Sequence, residues 1–153
     1  MSNLLEVKNL TIGFKVRDSI FTAVEDASFE INKNETMALV GDSGSGKSVS
    51  AMSILQLLPE GKTIFSEDSS IKFHHSEILK MSNKQLQSIR GKKISMIFQE
   101  PMTSLNPYHK VGNQITESIL SHEDISKKDA EKKAKELMQL VEIPDLDRRY
   151  KSY

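Results

Sequence analysis

The string Gly41-Asp42-Ser43-Gly44-Ser45-Gly46-Lys47-Ser48 constrains this chain more than any other feature. It fits G-x-x-x-x-G-K-[ST], directly after the apolar run Met37-Ala38-Leu39-Val40 and directly before residues of helical character. An apolar run of that length closed by glycine predicts a strand buried on both faces of a parallel sheet. Gly41, Gly44 and Gly46 let the backbone turn tightly with no Cβ in the way, so successive N–H groups point inward as a nest for an anion. The other reading is a glycine turn capping a helix beside an ordinary surface lysine. It leaves the glycines unexplained, because a core helix gains nothing from three of them at its start.

Each residue type in the string has its own task. The helix that follows presents its positive N-terminal end, Lys47 supplies a mobile point charge for β- and γ-phosphates, and the Ser48 hydroxyl is placed to ligate Mg²⁺. The candidate nucleotide-binding residues are therefore Gly41, Asp42, Ser43, Gly44, Ser45, Gly46, Lys47 and Ser48, with Val49 next to them. ATP and Mg²⁺ are the expected cofactors. Over 47–58 the apolar Val49, Ala51, Met52, Ile54, Leu55 and Leu58 cover most of a helical surface, which predicts a largely buried helix stopped by Pro59 and Gly61. A phosphate loop by itself says only that a nucleotide is bound, since kinases, GTPases and many motors share it.

Composition narrows the function. The 153 residues suffice for one ordinary domain, and 21 Lys and Arg balance 21 Asp and Glu, which argues against a nucleic-acid partner. No cysteine is present, so disulfides, thiolate zinc sites and cysteine nucleophiles are excluded, and a reducing cytoplasm fits. No run of about 18 apolar residues occurs, so membrane contact is expected to go through a partner.

Elsewhere the chain alternates between two kinds of pattern. Residues 4–12 and 20–31 alternate apolar and polar side chains and read as antiparallel strands joined by a turn near 15–19. Residues 70–73 read as a short strand, Ser82 with Gln85 as a capping box, and Ile94-Ser95-Met96-Ile97-Phe98 as a second buried strand ended by Gln99-Glu100-Pro101. Beyond Pro107 only helical pattern remains: 111–121, then 126–142, where Ala130, Ala134, Leu137, Met138 and Val141 share a face capped by Ser126 with Asp129. The lysines of 127–135 alternate with Asp129 and Glu131 and read as a solvated helix face. A boundary near 105 divides a core, 1–105, from a helical part, 106–153. His74, His75, His109 and His122 read as surface or structural rather than metal-binding or catalytic.

The strand ending at Gln99 discriminates among phosphate-loop proteins. An apolar strand before Asp-Glu commonly holds Mg²⁺, but here a neutral amide replaces the aspartate and ligates the ion only weakly. In the string Ile97-Phe98-Gln99-Glu100-Pro101-Met102-Thr103-Ser104-Leu105-Asn106-Pro107 the sequence resembles the ATP-binding-cassette ATPases, in particular their peptide and nickel importer branch. Leu4-Leu5-Glu6-Val7-Lys8-Asn9-Leu10 through Phe14 is similar to the opening strand of that family, and Asp42 stands where this branch commonly has glutamate.

The resemblance implies an α/β fold: a P-loop NTPase (RecA-like) core with an N-terminal antiparallel β subdomain and the start of an α-helical subdomain. It implies that Gln99 senses the γ-phosphate and Mg²⁺ and faces a membrane subunit, and that Phe14 stacks on adenine; core packing is the other reading of Phe14. The implied partners are membrane-spanning permease subunits and a second ATP-binding cassette, at the cytoplasmic face of the cell membrane. The family's signature segment, Asp-Glu strand and switch histidine would all lie beyond Tyr153. Hydrolysis is therefore expected near background for these residues alone, in the parent an ATPase powering uptake of peptides or related solutes. Strands completing the parallel sheet would also be missing, leaving two apolar strands with open edges. A shortened, non-catalytic nucleotide-binding module is the alternative. A phosphate-loop kinase or GTPase leaves the string from Gln99 to Pro107 unexplained.

Overall fold

The computed structural model describes residues 3–99 and 104–153. They fall into two compact units, one up to Arg90 and one from Gly91 onward.

The first unit is organised by a long hairpin, β1 (Asn3–Val16) and β2 (Ser19–Asn32), antiparallel and joined through Arg17 and Asp18. Its register shifts at four places, and the middle two are in opposite senses. Between the pairs Val7 with Phe29 and Leu10 with Ala27, β1 carries the extra residue; between Leu10 with Ala27 and Ile12 with Val24, β2 carries it. Asn9 (φ 47) and Asp26 (φ 46) absorb the bulges in left-handed conformation. The amides so displaced find side chains: Asn9 N–H donates to Ser28 Oγ at 2.9 Å and Asp26 N–H to Thr11 Oγ1 at 3.0 Å. The compensation keeps Val7, Leu10, Ile12 and Val24 buried together.

Strands β3 (Thr63–Phe65) and β4 (Ser70–Phe73) pair with different stretches of β1, and β5 (Ser76–Glu77) pairs with β4. The two-residue turn between β4 and β5 is His74-His75, both at positive φ (52 and 90). Ile71, Phe73 and Ile78 complete the core under the sheet. Helix α2 (Asn83–Ile89) begins with the predicted capping box, Ser82 N–H donating to Gln85 Oε1 at 2.9 Å and Gln85 N–H to Ser82 Oγ at 3.4 Å.

Helix α1 (Lys47–Ile54) ends at Ile54 rather than at Leu58. Gln56 turns left-handed (φ 51), so that its N–H reaches Ser53 O and the Leu57 N–H reaches Met52 O, both at 3.0 Å, in a Schellman closure. Arg90 locks this end by donating from Nε to Leu55 O (2.7 Å) and from Nη2 to Gln56 O (2.6 Å). Nor is the helix largely buried. Its most covered residues are Ser50 and Ser53, while Val49, Ala51, Met52 and Ile54 are half-buried.

The two apolar runs expected as buried strands differ more. Residues 37–40 form no strand and Val40 is 88% exposed; apart from a bridge at Ile94, residues 94–98 form none either, and Ile97 is 97% exposed. A buried parallel strand needs a hydrogen-bonded neighbour on each edge, and among the described residues β1 to β5 pair only with one another.

The second unit packs α3 (Val111–Leu120), α4 (Lys127–Leu140) and α5 (Leu146–Tyr150) around Ile119, Ala130, Ala134, Met138 and Tyr150. Ser126 caps α4, accepting from the Asp129 N–H at 3.2 Å. Leu137 and Val141, expected in the core, are exposed. The buried ridge runs through Ala130, Ala134 and Met138 in steps of four, and the other two lie on its flank.

Candidate nucleotide-binding site

The loop 41–48 is an exposed turn that runs into α1. Gly44 (φ 82) and Gly46 (φ 84) occupy the left-handed region, and Gly46 is the residue that starts the helix. A Cβ on Gly46 would lie 2.5 Å from the carbonyl oxygen of Ala23 and 2.9 Å from Val24 Cγ2, so the junction of loop and helix rests directly on β2. A Cβ on Gly41 would come within 2.7 Å of Ser45 Oγ, whereas at Gly44 nothing lies within 4 Å and the backbone angle alone asks for glycine.

Lys47 crosses the loop. Its Nζ donates to Gly41 O at 2.8 Å, to Asp42 O at 2.5 Å and to Ser45 Oγ at 3.1 Å. Two of these acceptors are backbone carbonyls at the start of the loop, and no carboxylate among the described residues pairs with the ammonium. The start of α1 matches this: Gly46 supplies no side-chain cap and the first turn holds no acidic residue. Helix N–H groups that a cap would satisfy stay open to an anion. Ser45 N–H closes the turn on Asp42 O at 3.2 Å. Asp42, Ser43 and Ser48 are exposed and Val49 is half-buried. The positive charge, open amides and missing side chains fit a polyphosphate with an associated cation.

Phe14 is half-buried near the end of β1, opposite Phe21 of β2 on one side and Thr63 of β3 on the other. It belongs to the same unit as the loop. Gln99 is exposed and belongs to the second unit. Residues 100–103 of the string that carries the family resemblance, Glu100, Pro101, Met102 and Thr103, lie outside the described residues. The support that Ala23 and Val24 give to Gly46 was not foreseen from the sequence. A backbone carbonyl far away along the chain leaves no mark in residue types.

An uncapped helix start, a glycine loop and a lysine folded across it, set against an antiparallel sheet, define an α/β phosphate-loop protein. Residues 24–153 match the model of the ABC transporter family, and the chain belongs to that family. It is 46% identical over 153 residues to the oligopeptide transport ATP-binding protein OppD of Bacillus subtilis (strain 168), covering 100% of this chain and 42% of that protein. It is 43% identical over 153 residues to the dipeptide transport ATP-binding protein DppD of the same organism, covering 100% of this chain and 45% of that one. With the OppD of Escherichia coli (strain K12) the identity is 40% over 150 residues, covering 98% of this chain and 44% of the other. The chain thus spans less than half the length of these relatives. Among solved structures, the ATP-binding cassette MJ0796 in a dimeric post-hydrolysis state bound to ADP and Pi superposes with a TM-score of 0.80 at 22% identity, over 97% of this chain and 60% of that one. The fold is that of an ATP-binding cassette, an antiparallel sheet followed by helices.

Proposed function

We propose that this chain supplies the phosphate-binding part of the ATP-binding subunit of a peptide importer. The observation that carries the reading is the Lys47 ammonium, held by Gly41 O, Asp42 O and Ser45 Oγ over the uncapped start of α1. Those acceptors are weak partners for a full charge, and Lys47 exchanges them for phosphate oxygens, a gain of charge on both sides of the hydrogen bond. The loop amides and the first N–H groups of α1 take further phosphate oxygens, and the Ser48 hydroxyl takes the Mg²⁺. Bound MgATP supplies the phosphoanhydride whose cleavage drives transport. Phe14 lies beside the base, and Gln99 reports the γ-phosphate and metal to a permease subunit.

The peptide assignment draws on relatives named as oligopeptide and dipeptide transport ATP-binding proteins. Turnover belongs to the whole protein, paired with a second cassette and with membrane-spanning permease subunits at the cytoplasmic face of the membrane. In this reading the nucleotide-binding core runs to residue 105 and the helical subdomain starts at 106. Among the described residues no helix is long and apolar enough to cross a membrane, so the permease supplies the crossing.

Titration of MgATP and of inorganic tripolyphosphate into the chain tests the site. Lys47→Ala is expected to weaken both ligands at least about tenfold, the equivalent of about 1.4 kcal/mol for a lost charge-assisted hydrogen bond. Equal affinity for the two proteins would refute it.

A further inference from the structure

The segment that follows α1, at the end opposite the phosphate loop, borders a cavity of about 290 Å³. Three stretches of the first unit line it: 56–61, then Thr63 and Phe65 of β3, then Asn83, Leu86 and Arg90 in and just after α2. The wall formed by 56–61 is fixed at both ends. Gln56 leaves the helix in left-handed conformation, and Thr63 donates from its N–H (3.2 Å) and its Oγ1 (2.8 Å) to the carbonyl oxygen of Pro59. At about 30 Å³ for each water-sized group, the cavity holds about ten non-hydrogen atoms, the size of one branched amino acid. That places it at the small end of ligand sites.

Its lining is chemically divided. Leu57, Leu58, Phe65 and Leu86 supply apolar surface, while Glu60 and Arg90 supply one charge of each sign. Arg90 spends two of its five N–H groups on the carbonyls of Leu55 and Gln56, and the three left on Nη1 and Nη2 have no partner among the described residues. Two carbonyl dipoles hold the guanidinium in place without cancelling its charge. The exposed Glu60 and the half-buried Arg90 pair neither with each other nor with any opposite charge among the described residues. Two unpaired charges around an apolar cavity complement a small molecule that carries both charges and an apolar side chain.

We propose that this cavity binds an apolar α-amino acid as its zwitterion, with the carboxylate on the unused N–H groups of Arg90, the ammonium toward Glu60 and the side chain against Leu58, Phe65 and Leu86. The site is separate from the phosphate loop, and the inference does not depend on what that loop holds. Specificity follows from the same residues. A bare anion meets repulsion from Glu60 and a bare cation from Arg90, so each is selected against. A polar side chain would give up its water to the apolar wall without finding a partner there.

Titration calorimetry of L-leucine into the 153-residue chain, with folding checked by circular dichroism, tests the site. Leucinamide lacks the carboxylate and is expected to bind at least about tenfold more weakly than leucine, the loss of a charge-assisted hydrogen bond to Arg90. Arg90 also closes α1, so its replacement would confuse binding with folding, and the decisive variant is Glu60→Gln at an exposed position. It should weaken leucine at least about threefold, the scale of an exposed ion pair. N-acetyl-leucine offers no ammonium to lose, and its affinity should be the same for Glu60→Gln and for the unaltered chain. No binding of leucine at about 10 mM overturns the proposal. So does leucinamide binding as tightly as leucine, or a Glu60→Gln variant that binds leucine as tightly as the unaltered chain.

Discussion

Gly46 sits on the carbonyl oxygen of Ala23, so close that a Cβ at this position would lie 2.5 Å from it. The contact ties the start of α1 to β2, and with it the direction in which the helix N–H groups point. Two costs therefore meet in Gly46→Ala: a left-handed φ of 84 and a collision with backbone, which has no rotamer by which to move away. Strain and overpacking of this kind predict a loss of about 3 kcal/mol. Gly44→Ala shares the positive φ but meets nothing within 4 Å, and should lose only about 1 kcal/mol. Urea unfolding midpoints of the two variants check the ranking, and equal losses would show that β2 does not support the loop.

Local chemistry was legible in the sequence to the extent that it is written in neighbouring residues. The glycine turn that leads into α1, the capping box of Ser82 with Gln85, the Ser126 cap and the long hairpin all depend on residue types a few positions apart, and all form. What could not be read depends on distant partners. Ala23 under Gly46 and the Arg90 clamp on Leu55 and Gln56 each join segments far apart in sequence. The apolar runs at 37–40 and 94–98 illustrate the same limit, since burial of a strand is a property of its neighbours and among the described residues no strand pairs with either run. Gln56 in left-handed conformation, where glycine or asparagine is usual, cut α1 short against its apolar pattern.

The helical unit makes a second prediction, on the buried pair Thr116 and Tyr150. Their hydroxyls are 2.7 Å apart, and Gly112 lies directly under the Tyr150 ring, where a Cβ would overlap it. Tyr150→Phe leaves the Thr116 hydroxyl buried and unpaired, which should cost about 1–2 kcal/mol. Adding Thr116→Val removes the orphaned group and should recover most of that loss, because two apolar partners of similar shape replace the pair nearly without penalty. Gly112→Ala should cost about 2 kcal/mol by overpacking. Thermal unfolding of the two single variants and the double one decides: additive losses in the double variant would mean that the two hydroxyls do not depend on each other.

The third prediction concerns pH. Lys135 Nζ lies 2.6 Å from Asp147 Oδ1 and 5.5 Å from the centre of the Tyr150 ring. The hydrogen bond from Lys135, and then its charge, hold the Asp147 carboxyl below its ordinary value; the same bond and charge from Asp147 hold the Lys135 ammonium above its own. For Asp147 the unfolded chain binds the proton more readily, so the stabilisation is present above the unfolded pKa and is lost as pH falls through the folded one. For Lys135 the folded chain keeps the proton more firmly, so the stabilisation is present below the unfolded lysine pKa and is lost as pH rises through the folded one. Between the two limits the pair contributes a constant amount. The melting temperatures of the unaltered chain and of Asp147→Asn should therefore differ by a fixed margin around neutrality and converge at the acid end, where the carboxylate is protonated. They should also converge when salt is raised to about 1 M, where screening acts within about 3 Å and an exposed pair loses most of its attraction. A margin that persists unchanged into acid would show that Asp147 acts through α5 itself and not through Lys135.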